Sequence, residues 1–134
     1  MGQEFQRMNM LLADTDILID FLRGNEKAIQ LVSENSENII ISPITITELY
    51  AGARSEKERN DLDSFLSLFQ VIPIGNGIAK TAGLLKREYL KSHNLGIADC
   101  LIAASAIDSN AKLKTLNVRH FPMFKNLEAA YRKN

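Results

Sequence analysis

The amino-acid sequence predicts an α/β fold: a central parallel sheet with helices on its faces. Two observations carry the prediction. Short uncharged apolar runs alternate along the chain with segments of helical spacing, the mark of strands separated by crossover helices. One of those runs, Ile39-Ile40-Ile41, is continuous and β-branched, as expected of a strand covered on both sides. With 134 residues, 46% hydrophobic and 24% charged, the chain fits one ordinary globular domain, expected over residues 9–134. Residues 1–7 are polar and lack the apolar core of a signal peptide, so residues 1–8 read as a flexible leader.

Taken in order, residues 10–13 form the first strand and Asp14 stands at its C-terminal end. Residues 15–21 read as a short helix broken near Gly24, followed by a second helix over 25–34 carrying Ala28, Ile29, Leu31 and Val32. After the Ile39 to Ile41 strand, Ser42 serves as N-cap and Pro43 as first helical residue, where a missing N–H costs nothing. That helix should end near Gly52, and a longer one should span 56–68. Residues 71–74 read as a third strand, placed at an edge by Pro73. A helix opens at Asn76 or Gly77, lines up Ile78, Ala82, Leu85 and Tyr89, and closes near His93-Asn94. The helix over 98–109 is apolar nearly all round, which predicts burial. Residues 112–115 are a weakly patterned fourth strand. Residues 117–124 form an aromatic-rich loop whose Phe121, Met123 and Phe124 read as core, and 127–131 a last short strand or turn.

The totals exclude several classes. Formal net charge is zero, so nucleic acid would have to be met by local patches rather than an overall basic field. The single Cys100 excludes an internal disulfide, agrees with a reducing compartment, and in its apolar setting reads as a buried structural thiol. No apolar run approaches the roughly 20 residues needed to span a bilayer. A cytoplasmic protein without membrane contact is the expectation.

Three acids stand where a strand hands over to a helix, or just inside that helix: Asp14, Glu48 and Asp99. In a parallel sheet all such transitions lie on one rim, the rim at which open α/β sheets bind ligands. Two carboxylates about 5 Å apart repel by roughly 3 kcal/mol at an effective dielectric near 20. Convergence therefore points to a hard divalent cation, for which oxygen ligands are suited. Two histidines, and no paired Cys or His spacing, make zinc a poor fit. Each acid also has a simpler reading. Asp14 or Asp16 can cap the following helix; Glu48 closes a capping-box pattern with Thr45; Asp99 gains from the helix dipole. Asp20, one turn past Asp16, reads as a solvated helix residue.

Four blocks in order then resemble the PIN-domain family, and more closely its VapC-type toxin ribonucleases: residues 14–20, 47–52, 97–104 and 115–121, together spanning most of the chain. The resemblance implies a three-layer α/β/α fold and a Mg²⁺- or Mn²⁺-dependent endoribonuclease leaving 5′-phosphate and 3′-hydroxyl ends. By position it makes Asp14, Glu48 and Asp99 the metal-binding, catalytic acids. Thr115 matches a hydroxyl that helps hold the site, with Thr15, Asp16, Asn117 and Arg119 around it or on the substrate side. Where many relatives carry a fourth acid, this chain has Asn117 and His120, so the departure bears on a second ion and not on the first. An RNA substrate, a homodimer and a small antitoxin partner are implied as well. Basic residues available for phosphate include Arg54, Lys57, Arg59, Lys86, Arg87, Lys91 and Lys125, with Arg119 nearest the site blocks. Two other readings stay open. Asp14-Thr15-Asp16 superficially resembles the aspartate nucleophile of haloacid-dehalogenase phosphatases, and a non-catalytic RNA-binding module could keep the same fold.

Overall fold

The computed structural model describes residues 9–132. The residues expected to form a flexible leader, 1–8, lie outside that range. Strand β1 (Leu11–Ala13) leads into helix α1 (Thr15–Leu22) and α2 (Glu26–Glu34). Then come β2 (Ile39–Ile41), α3 (Pro43–Ala51), α4 (Glu56–Leu66), β3 (Gln70–Val71), α5 (Asn76–Glu88), α6 (Ile97–Asp108) and β4 (Lys112–Lys114), with a 3₁₀ turn at Val118–His120. Among the described residues the four strands form one parallel sheet in the order β3-β2-β1-β4. The three-layer α/β/α architecture is as expected.

Alternation along two central strands builds the layers. Leu11, Ala13, Ile39 and Ile41 face Ile17, Leu18, Val32, Leu49, Leu62 and Phe65, so α1 to α4 cover one side. Leu12 and Ile40 point the other way, against Ile102, Ala103, Ala106 and Phe121. Ile78, Ala82, Cys100 and Ala104 pack α5 onto α6. Strands enclosed on both faces have no solvent side for polar residues, which accounts for the unbroken isoleucines. Phe121 is buried in this core with Met123 and Phe124 packed beside it, and the Cys100 thiol is buried as read from sequence.

Local chemistry sets the helix ends. The Ser42 hydroxyl accepts from the Ile44 N–H at 3.0 Å, with Pro43 following it, so Glu48 sits more than a turn inside α3 and caps nothing. Asn25 caps α2 by accepting from the Ala28 N–H. Gly24 turns the chain between α1 and α2 at φ +82°, a conformation costly for a residue with a Cβ.

Several sequence expectations shift. The third strand occupies Gln70–Val71 rather than 71–74: it stays on an edge, but Pro73 lacks the N–H to extend the ladder. Helix α5 stops at Glu88, because turns bonded to the Tyr89 carbonyl and a positive φ at Asn94 redirect the chain. Helix α6 is not buried all round. It packs against the sheet, α5 and part of α3, leaving Ile97 and Ile107 exposed. Residues 127–131 form no strand; their side chains pack against the sheet's two faces, and the Ala130 N–H donates to the carbonyl of Thr115, just past β4.

Candidate functional site: an acidic rim at the strand ends

Parallel pairing places the residues after β1, β2 and β4 (Asp14, Ser42 and Thr115) on one edge of the sheet. Asp14 is both N-cap and rim residue: its Oδ1 accepts from the Thr15 N–H at 2.8 Å, and its Oδ2 accepts from the Thr115 hydroxyl at 2.8 Å. The capping and ligand readings of this acid therefore do not compete. Asp16 Oδ2 accepts from the Leu116 N–H at 2.8 Å and lies 3.3 Å from the Thr115 hydroxyl, which also accepts from the Asn117 N–H. The Thr115 hydroxyl thus holds Asp14, and the next amide, Leu116, holds Asp16, both against the end of β4.

The opposite wall is built by Thr15. Its buried hydroxyl donates to Glu48 Oε1 at 2.6 Å and stands 3.0 Å from the Thr45 hydroxyl. Asp99, in the first turn of α6, is met by His120, whose Nδ1 lies 3.2 Å from Asp99 Oδ2. Arg119, on the same 3₁₀ turn, is exposed, as is Asn117.

The electrostatics of this rim are strained. Burial, with repulsion from Asp16 and Asp99, pushes the Asp14 carboxyl from 3.8 up to about 6. Asp16 is raised by burial against the opposing Leu116 hydrogen bond, and Asp99 by burial and by Glu48 against the neighbouring His120. The acids therefore feel one another across a shared space. Among the described residues, Asp16 Oδ1 is the buried side-chain oxygen left without a hydrogen-bond partner. An orphaned buried carboxylate oxygen costs free energy unless a cation or proton meets it.

The convergence expected from sequence is partial. The described residues contain no set of three or more acids, histidines or cysteines already arranged to grip an ion. Thr15 engages Glu48 and His120 engages Asp99, each satisfying a carboxylate that like charges would otherwise push outward. The donor set, oxygen throughout and short of positive charge, fits a hard divalent cation in chemistry.

One reading is corrected outright. Asp20 is not solvated: it is 3% exposed and accepts from the Tyr131 hydroxyl at 2.7 Å. Its partner arrives from more than a hundred residues away, so local sequence carries no sign of it. Thr45 was also missed as a site residue. The available signal was its position one turn before Glu48 on the same helix face.

With this geometry in view, comparison with known proteins is decisive for family. The PIN domain matches residues 11–124. Ribonuclease VapC10 of Mycobacterium tuberculosis is 42% identical over 125 residues, covering 91% of this chain and 93% of that protein. Ribonuclease VapC19 of the same species is 43% identical over 126 residues, covering 91% and 100%. A toxin–antitoxin complex from Klebsiella pneumoniae superposes with a TM-score of 0.80 at 29% identity, covering 92% of this chain and 99% of that one. VapBC2 from Rickettsia felis, bound to a DNA fragment from its promoter, superposes at 0.75 with 27% identity, covering 90% and 96%. The chain belongs to the PIN-domain family, in its VapC branch.

Proposed function

We propose that the protein is a divalent-cation-dependent endoribonuclease, the toxin of a toxin–antitoxin pair. The observation that carries the chemistry is the strained rim: a buried Asp14 raised to about 6, beside an Asp16 oxygen with no partner. Its relatives bear the name ribonuclease, which favours RNA hydrolysis over an aspartyl-phosphate mechanism or mere RNA binding.

In this reading Asp14, Glu48 and Asp99 hold Mg²⁺ or Mn²⁺. When bound, the ion supplies charge neutralisation at the phosphodiester and acidifies a water. The chain's own residues do the rest. Thr115 and the Leu116 N–H keep Asp14 and Asp16 at the end of β4, and Thr15 fixes one oxygen of Glu48. His120 orients Asp99. Glu48 or Asp99 accepts the proton from the attacking water. Asn117 and Arg119, both exposed at this edge, face incoming phosphate.

Two surfaces support the partners. A crevice of about 360 Å³ runs from Glu48 along Ile19, Leu22, Leu49, Ala53 and Leu62, bordered by Glu58, Asp61 and one basic residue, Arg23. It suits an apolar antitoxin segment bearing a basic residue. The solved neighbours, titled toxin–antitoxin and VapBC complexes, favour such a partner. Leu84, Leu90 and Ile97 are exposed on α5 and around α6, a face suited to a homodimer.

The test is sequencing of RNA 5′ ends after brief expression of wild type and Asp99→Asn. New 5′ ends that appear only with wild type support the proposal; identical end profiles overturn it.

A further inference from the structure

Residues 121–132 pass from one side of the sheet to the other around the free edge of β4. Phe121, Met123, Phe124 and Leu127 pack with the cluster on the α6 side. Ala130 and Tyr131 pack with the cluster on the α1 side. A segment on this path covers the open edge of the sheet. Here the segment bonds β4's continuation at one place, the Ala130 N–H on the Thr115 carbonyl at 2.9 Å. Thr115 is the residue whose hydroxyl holds Asp14 and approaches Asp16.

The next residue reaches the other wall. The Tyr131 hydroxyl donates to Asp20, buried on α1 one turn beyond Asp16. Arg132 is tied to α2 through its carbonyl, which accepts from Lys27 Nζ. Consecutive residues therefore clamp the two elements whose relative position sets the Asp16–Leu116 and Asp14–Thr115 bonds. The hydrogen bonds of Ala130 and Tyr131 go to Thr115 and Asp20, and not to the rim acids themselves.

We infer that residues 127–132 are a strap that fixes β4 against α1, and that Tyr131, acting through Asp20, is a positioning residue for the acidic rim. The inference concerns the site of the proposed nuclease, but it rests on the geometry of the rim rather than on the reaction. If the Tyr131–Asp20 bond is lost, the end of β4 opens locally while the sheet centre stays closed, because opening free energies differ between regions of one fold.

Amide hydrogen exchange by NMR on the full chain tests this. The Leu116 and Asn117 amides, bonded to Asp16 and Thr115, report the rim; the amides of Leu12, Ile40 and Ile41 report the core. In Tyr131→Phe the rim amides should exchange about tenfold faster, the size expected for one lost hydrogen bond to a charged group, with core amides changed less than about twofold. Asp20→Asn keeps an acceptor for the hydroxyl but not its charge, and should accelerate the rim amides less than Tyr131→Phe while leaving core amides within about twofold of wild type. Asp20→Leu, which removes the same acceptor together with its charge, should accelerate the rim amides at least as much as Tyr131→Phe. Equal acceleration of both sets would show that the segment contributes global stability only and would overturn the inference, as would unchanged rim amides. In RNA cleavage Tyr131→Phe should lower kcat with KM unchanged. A wild type that cleaves no RNA would refute the nuclease reading, while the exchange data would still decide the strap.

Discussion

Replacing Asp14 by asparagine should stabilise the metal-free protein at neutral pH while destroying its activity. The magnitude follows from the site. A rise from 3.8 to about 6, at roughly 1.4 kcal/mol per unit, makes the ionised side chain cost the folded state about 3 kcal/mol. The sign is set by proton counting. Between those two values the folded protein holds a proton that the unfolded chain has released, so stability falls as pH rises and levels off above about 6. An asparagine mimics the neutral acid, keeps an oxygen for the Thr15 N–H and is an equally good N-cap, so it removes the penalty without removing the cap. The gap in unfolding free energy between the Asp14→Asn variant and wild type should therefore widen in the variant's favour by about 2 kcal/mol from pH 4.5 to pH 8. Urea unfolding in chelator across that range measures it, and the slope of the gap matters more than its offset. A gap independent of pH, or one that narrows as pH rises, would refute the account of a charge-strained rim.

The remaining predictions concern the cation, the supporting hydroxyl, the acid on α6 and the core. Millimolar Mn²⁺ should raise the melting temperature of wild type, by the equivalent of about 2.7 kcal/mol at a hundredfold excess over Kd, and much less in Asp14→Ala/Asp99→Ala; equal shifts in both proteins would count against a shared site. Thr15→Val removes the hydroxyl that fixes Glu48 and should lower RNA cleavage by about 10- to 100-fold while costing about 1 kcal/mol in urea titration; full activity would make that contact incidental. Asp99→Asn should abolish cleavage and growth inhibition with the circular dichroism spectrum unchanged, and retained cleavage would remove Asp99 from the mechanism. Ile40→Ala, at a fully buried position on β2, should cost about 2–5 kcal/mol and move the urea midpoint at constant slope; a cost below about 1 kcal/mol would mean that the sheet centre is not packed as described.

The layered α/β fold was legible because its signals are local. Ser42-Pro43 starts a helix through chemistry confined to a few residues, and the isoleucines of β2 report burial on both faces through composition alone. Asp14 and Glu48 were legible as neighbours of one rim, since parallel strands leave their C-terminal ends on the same side; Asp99 was not, because its helix follows α5 with no strand between, and the packing of α6 brings its charge to bear on Asp14. What sequence could not supply was each carboxylate's partner. The bonds of Thr115 to Asp14, Thr15 to Glu48, His120 to Asp99 and Tyr131 to Asp20 link residues 101, 33, 21 and 111 positions apart. No propensity or periodicity extends so far along a chain. Residue type and order therefore determined that Asp14 and Glu48 stand just past strand ends; only the tertiary packing decided where Asp99 lies, which oxygens are held, which one is left unpaired, and that Asp20 lies in the interior rather than in water.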